Sequence, residues 1–107
     1  MFRIMESTKV VFREDGVYGE VQIFSDDKKA GKMDLSVADG KLRVYHTEVE
    51  AEYTGEGFAN LLLDQLVEYA REMKLRIIPL CPYVLAQFKR HPQEYADVWI
   101  KNGLKNN

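Results

Sequence analysis

The stretch EYTGEGFANLLLDQL, from Glu52 to Leu66, limits this chain more than any other, because it joins a β-rich run to a long helix through a pair of glycines. From Gly57 onward, Ala59, Leu62, Leu63, Leu66, Val67, Ala70 and Met73 recur at spacings of three and four, with Asn60, Asp64, Gln65, Glu68 and Arg71 opposite. That is the pattern of a helix with one buried face. KLRVYHTEV stands before it and LRIIPLC after it, both strand-like. A strand, helix, strand order within one sheet requires a right-handed crossover, so the two strands run parallel. The glycines leave two readings open. They form a plain entry into a helix capped by Thr54, or a place where backbone amides come close to a ligand because no Cβ holds it away.

The residues before this unit read as antiparallel strands. In KVVFREDGVYGEVQIF the pair Asp15-Gly16 separates two β-rich runs, the signal of a two-residue hairpin with positive φ at both central positions. After the polar turn SDDKKAG, the segment KMDLSV alternates, with Met33, Leu35 and Val37 on one face and Lys32, Asp34 and Ser36 on the other. Asp39-Gly40 repeats the hairpin signal and leads into the fourth strand, which runs to Val49. Pro79 cannot donate a ladder hydrogen bond, which puts the fifth strand at a sheet edge or bends it there. YVLAQFKRH predicts a short second helix, with Pro82 at its favoured first position. Tyr95, Val98 and Trp99 then return to the body before a polar tail that frays. The expected fold is α+β: an antiparallel meander of four strands, a crossover helix, a fifth strand parallel to the fourth, and a short C-terminal helix.

At 107 residues, 46% apolar and 30% charged, the whole of 1–107 suits one domain. A domain of this size buries roughly 65% of the surface its unfolded chain exposes. The 15 basic and 17 acidic side chains give a net charge of -2 and are spread along the chain. No long-range field therefore draws it to nucleic acid or to an anionic membrane, and the local group Lys28, Lys29 and Lys32 is a weak basis for nucleic-acid binding. One cysteine and two histidines exclude a disulfide framework and are too few for a Cys/His zinc site, so no metal is expected. MFRIMESTKV lacks the apolar centre of a secretion signal, and no apolar run approaches the roughly 20 residues of a membrane helix. The expectation is a soluble, cytoplasmic protein.

The pattern YHTEVEAEYTGEGFANLLLDQLVEYAREMKLRIIPLCPYV, followed by FKRHPQEY, closely resembles the minimal GNAT-like N-acetyltransferases, a branch of the GNAT superfamily of about one hundred residues that carries Cys-Pro and His-Pro-x-Glu-Tyr motifs. The resemblance covers most of the chain and is densest between Tyr45 and Tyr95. In GNAT proteins a Gln/Arg-x-x-Gly-x-Gly/Ala loop after the fourth strand holds the pyrophosphate of acetyl-CoA on backbone amides. Gly57 and Ala59 match its small-residue positions, Gly55 is an additional glycine, and Thr54 replaces the opening Gln/Arg. Glu56 is a second departure, since relatives often place a base there. The resemblance implies acetyl-CoA binding by Thr54, Gly55, Glu56, Gly57, Phe58, Ala59 and Asn60. It also implies a V-shaped opening between the fourth and fifth strands, with the pantetheine arm beside Thr47, Glu48 and Val49. The N-terminal helices and C-terminal strands that build an acceptor pocket in larger GNAT enzymes have no counterpart in the pattern.

Acetyl transfer from a thioester to an amine needs a positioned thioester, a polarised carbonyl and a deprotonated amine. An amide of the fourth strand, at Val49 or a neighbour, suits the carbonyl. Cys81 stands where the fifth strand meets the helix opened by Pro82, a setting that favours the thiolate. It reads as a small buried hydrophobe or as a residue of the acetyl site, and in the minimal group a cysteine in this Cys-Pro setting has been proposed as catalytic. His46 counts with Leu42 and Val44 on one strand face, which suits a hydrogen-bonded core residue or a general base at the strand end. His91 reads as a helix stop before proline. Glu48 and Glu50 are candidates for attracting a cationic amine, and Lys89-Arg90 for the coenzyme's 3′-phosphate. The reading is thus an acetyl-CoA-dependent N-acetyltransferase with Cys81 and His46 as catalytic candidates and a protein lysine or small amine as acceptor. The alternative is an acyl-CoA-binding or protein-interaction module with little chemistry.

Overall fold

The structure, a computed structural model, describes residues 5–101. The strands are β1 (Glu6–Phe12), β2 (Tyr18–Ser25), β3 (Lys28–Ala38), β4 (Lys41–Val49) and β5 (Arg76–Pro79), and the helices are α1 (Phe58–Glu72) and α2 (Pro82–Arg90). They build one five-stranded sheet in the order β1-β2-β3-β4-β5, antiparallel as far as β4, with β5 parallel to β4 across the α1 crossover. This is the α+β architecture read from the sequence. The tail expected to fray lies, beyond Lys101, outside the described residues.

The turns follow local chemistry, with two departures from the sequence reading. Asp39 and Gly40 take φ of 54° and 75° and form the expected two-residue turn. Asp26 and Asp27 make a second turn of this kind, at φ 49° and 70°, so β3 starts at Lys28 rather than at Lys32. No glycine marks that turn, but aspartate tolerates the left-handed region better than most side chains. Asp15-Gly16, by contrast, is part of a longer loop between Phe12 and Tyr18 in which only Gly16, at φ 69°, is left-handed. Asp15 instead turns its carboxylate onto the N–H groups of Val17 (2.8 Å) and Tyr18 (3.1 Å).

One face of the sheet, here the inner face, is covered by both helices. Val21, Ile23, Met33, Leu35, Leu42 and Val44 of the strands share a core with Leu62, Leu63 and Leu66 of α1 and with Val84 and Phe88 of α2. Each such buried side chain contributes roughly 1.5–3 kcal/mol. Phe88 stacks on Tyr95 (4.6 Å between ring centres) and lies 5.7 Å from Trp99, which ties the chain after α2 to the body. The N–H of Ile77 bonds Val98 C=O and that of Ile100 bonds Ile77 C=O, so residues 98–100 run along the outer edge of β5. Met73 leaves the apolar stripe expected of it. The helix ends at Glu72, and Met73, its C-cap, is 55% exposed.

One irregularity in β4 matters for everything that follows. Along β3 and β4 the register pairs Leu35 with Val44 but Asp34 with His46, which leaves Tyr45 as the extra residue of a β-bulge. Period-two counting fails across a bulge. Leu42 and Val44 point inward before it, and Thr47 and Val49 after it, while His46 and Glu48 share the outer face with Asp34 and Lys32. The expectation that His46 shares a face with Leu42 and Val44 is corrected here: the imidazole is on the opposite face, and its side chain is 56% exposed.

Candidate active site

β4 pairs with β5 over only four positions, from Lys41–Arg76 to Val44–Pro79. Pro79 has no N–H to extend the ladder. The last tie is the N–H of Cys81 to Val44 C=O (2.8 Å), after which the chain turns into α2. β4 continues alone to Val49, so a gap opens beside Tyr45 to Val49 on the side where β5 has left. Backbone groups face this gap in alternation. Glu50 donates its N–H to Ala30 C=O of the neighbouring chain segment, so the N–H groups of Val49 and Thr47 point away from β3 and into the gap.

At the closed end of the gap stands Cys81, 2% exposed, at the N-cap of α2 with Pro82 as first helical residue. Its Sγ lies 3.1 Å from Thr47 Oγ1, either of which can be the donor. The bulge makes this pair possible, since it turns Thr47 rather than His46 inward. His46 meets Glu48 instead, Nε2 to Oε2 at 3.2 Å, on the outer side of the same strand end. Cys81 and His46, both singled out as catalytic candidates, therefore lie on opposite faces of the sheet, on either side of the gap. Tyr83, two residues after Cys81, escaped the sequence reading. Burial, with the Asp64 carboxylate adding to it, pushes its phenol above the ordinary tyrosine range.

Beyond β4 the chain makes a short 3-10 turn, Ala51–Tyr53, before the glycines. Gly55 and Gly57 are both left-handed, at φ 87° and 81°, and nothing lies within 4 Å of where a Cβ would stand on either. The glycines thus serve the backbone path and leave open space above it. Gly57, not Thr54, is the N-cap of α1, and no side chain caps the helix. Leu61 is the first residue to bond back into the helix, to Gly57 C=O, so the amides of Phe58, Ala59 and Asn60 have no intrahelical acceptor. The Glu56 amide is engaged with Tyr53 C=O (3.2 Å) and does not join them. Phe58 is buried and stacks on Tyr53 at 5.3 Å, which anchors the loop while Thr54, Gly55, Glu56, Gly57 and Asn60 stay exposed. No acidic side chain stands in the first turn of α1 to oppose an anion there.

A glycine loop at a helix N-terminus thus adjoins a gap between two parallel strands, and a comparison with protein families adds an independent finding. The model of GCN5-related N-acetyl-transferases matches residues 20–98. The chain belongs to the GCN5-related N-acetyltransferase family. This is a family of acyltransferase enzymes, and the match runs from within β2 through β5 and α2, taking in the glycine loop and Cys81 but not β1. No curated protein matches the sequence significantly. Among solved structures, a GCN5-like N-acetyltransferase candidate from Staphylococcus aureus superposes with a TM-score of 0.62 at 24% identity, over 86% of this chain and 87% of that one. The ribosomal-protein-S18-alanine N-acetyltransferase of Escherichia coli gives 0.61 at 13% identity, over 70% and 66%. A ribosomal-protein-alanine N-acetyltransferase from Brucella melitensis gives 0.57 at 18%, over 73% and 60%. The chain spans less than two thirds of the length of these last two, and all three likenesses are of fold.

Several weaker expectations are also placed by the structure of this family member. His91 is the C-cap of α2, as a helix stop should be, and Lys89-Arg90 lie in the last turn of that helix, the far end from Cys81. Lys28, Lys29 and Lys32 are each held by a carboxylate, of Glu52, Glu20 and Asp34 respectively. No described helix is long and apolar enough to cross a membrane. Among the described residues no group of three or more His, Cys, Asp or Glu side chains is gathered as a metal site.

Proposed function

We propose that this protein is a cytoplasmic, acetyl-CoA-dependent N-acetyltransferase whose acceptor is a free amine. The observation that carries the reading is the continuity of two features: the glycine loop with three unbonded amides at the start of α1, and the gap beside Thr47 to Val49. The loop fits a diphosphate, because amides, helix dipole and absent Cβ atoms coincide there. Phe58, Ala59 and Asn60 would hold it through their N–H groups, with Gly55 and Gly57 setting the path and Thr54 and Glu56 at the rim. The gap fits an extended arm with amide groups, which the exposed edge of β4 can hydrogen-bond as a missing strand would.

When bound, acetyl-CoA supplies the activated acetyl group as a thioester. The N–H of Val49 or Thr47 polarises its carbonyl from the strand edge, a donor fixed in advance by the sheet. His46, oriented by Glu48, takes the proton of the attacking amine on the outer face. The acceptor nitrogen bonds to the acetyl carbon as the carbon–sulfur bond breaks, and the Thr47–Cys81 pair, one hydrogen of which is spent between them, provides its other hydrogen as a donor for the charge that develops on sulfur. This order of events needs no acetylated enzyme. The burial of Cys81 supports direct attack over a ping-pong route.

The test is a titration of isotopically labelled protein with acetyl-CoA, followed by mass analysis of an added primary amine. Saturable amide shifts at Thr47–Val49, Gly55–Asn60 and Cys81, together with acetylated amine, are expected. Absence of shifts at millimolar ligand would overturn the reading. Shifts without any acetylated amine would leave an acyl-CoA-binding module, and an acetyl mass on Cys81 without amine would replace direct attack by a two-step route.

A further inference from the structure

The outer face of the sheet carries a groove of about 410 Å³ lined by Arg13, Tyr18, Lys32, Asp34 and Tyr45. It adjoins the bulge, since Tyr45 is the bulged residue and Asp34 pairs with His46. Both helices pack on the inner face, so this groove and the His46–Glu48 pair share the face the helices leave bare. We infer that the groove is the acceptor site, and that it takes a primary amine that also bears a carboxylate. This inference rests on the acetyltransferase reading above, and it adds the class of substrate.

The two tyrosines form the walls. Tyr18 on β2 and Tyr45 on β4 are 48% and 37% exposed and stand on either side of β3, two strand spacings or about 10 Å apart. Tyr45 is not free to fold away, because its hydroxyl is 2.7 Å from that of the buried Ser36. Between such walls an aliphatic chain loses its water to ring faces. The charges choose the ends. Lys32 is bound to Asp34 at 3.1 Å and lies 4.0 Å from Glu20, so the acid on the groove wall is already neutralised. Arg13 lies over the Tyr18 ring, 6.0 Å from its centre, and among the described residues it takes part in no ion pair. Asp15 is close enough to feel it but spends its carboxylate on the amides of Val17 and Tyr18. A guanidinium seated on an aromatic face with its N–H fork unspent is a carboxylate receiver.

The spacing fits one molecule. Tyr18, with Arg13 beside it, lies level with Ser36 and His46 lies level with Asp34, so Tyr18 and His46 are offset by two residues along β3 and by two strand spacings across it, about 12 Å between main chains. Such a span suits a molecule that carries its amine and its carboxylate at opposite ends of an extended chain, with a hydrogen bond of about 3 Å at each end, as a side-chain amine of an amino acid or the N-terminus of a very short peptide does. A polyamine would set a second cation against Arg13, which the groove disfavours.

The experiment compares ε-aminocaproate, hexylamine and cadaverine as acceptors with acetyl-CoA, and also titrates labelled protein with ε-aminocaproate alone. The expected kcat/KM for ε-aminocaproate is about tenfold above both others, the scale of one hydrogen bond to a charged group. Arg13→Gln should bring the three amines to within about twofold of one another, mainly through KM, and Arg13→Lys should keep part of the preference. The main-chain N–H of Arg13 to Tyr18 C=O survives either change, so the loop keeps its fold. Equal rates for the three amines, a preference for cadaverine, or indifference to Arg13→Gln would each overturn the inference. If no amine is acetylated at all, the coenzyme-free titration still decides the groove: saturable shifts at Arg13, Tyr18, Asp34 and Tyr45 support it, and none overturns it.

Discussion

At Gly57 the backbone stands at φ 81°, and a Cβ would meet nothing within 4 Å. Substituting alanine therefore costs backbone conformation and no packing. Gly57→Ala should destabilise the fold by about 1–2 kcal/mol in urea unfolding, and the added methyl should weaken acetyl-CoA shifts at Phe58 to Asn60 well beyond that. Equal loss of shifts and stability would mean that the glycine serves only the turn. The sequence raised both roles for this residue but could not separate them, since its neighbours along the chain say nothing of the space above it. The same limit applies at Cys81 and His46. Their types marked them as candidates, but the partner of each, Thr47 and Glu48, depends on which face a side chain takes after the bulge.

Elements test the reading of periodicity. Leu66 on α1 is fully buried, so Leu66→Ala should cost about 2–5 kcal/mol. Met73→Ala, three positions past Ala70 on the same nominal stripe, should change stability by less than about 0.5 kcal/mol, because the helix has ended and the side chain is exposed. Similar losses for the two would contradict the observed helix end. On the outer sheet face, Glu20 is the hub of an ion-pair group. Burial raises its carboxyl, but hydrogen bonds from Lys29 and Gln22 and the charges of Lys29 and Lys32 outweigh it, and the net shift is downward. A carboxyl lowered in the folded state stabilises the fold above its unfolded value, and that stabilisation is lost as pH falls through the folded value. Glu20→Gln should thus cost up to about 1 kcal/mol at neutral pH and nothing once the wild-type carboxyl is protonated. Urea midpoints measured across the acid range check this, and a constant difference at all pH values would point to packing instead.

At the scale of the whole molecule, the described residues share a core to which strands β2 to β5, both helices, Tyr95 and Val98 all contribute. We therefore expect residues 1–107 to behave as one domain with a single transition. Fluorescence of Trp99, the only tryptophan, and far-ultraviolet dichroism should give coincident urea midpoints, and separated midpoints would divide the chain into two units. How the sheet is ordered was legible from sequence because each step was local: Asp39-Gly40 dictates a tight antiparallel turn, and the stripe on α1 with strands at both ends dictates a right-handed parallel crossover. The helix-start glycines and the cysteine before Pro82 were legible as chemistry for the same reason. What only the tertiary structure decided was the site that these parts make together. One extra residue, Tyr45, reverses the inward set of β4, because side-chain alternation has no memory across a bulge, and so pairs Cys81 with Thr47 and sends His46 to the other face. The gap itself arises because β5 stops at Pro79 while β4 runs on, a mismatch between strands distant in sequence that neither segment records alone.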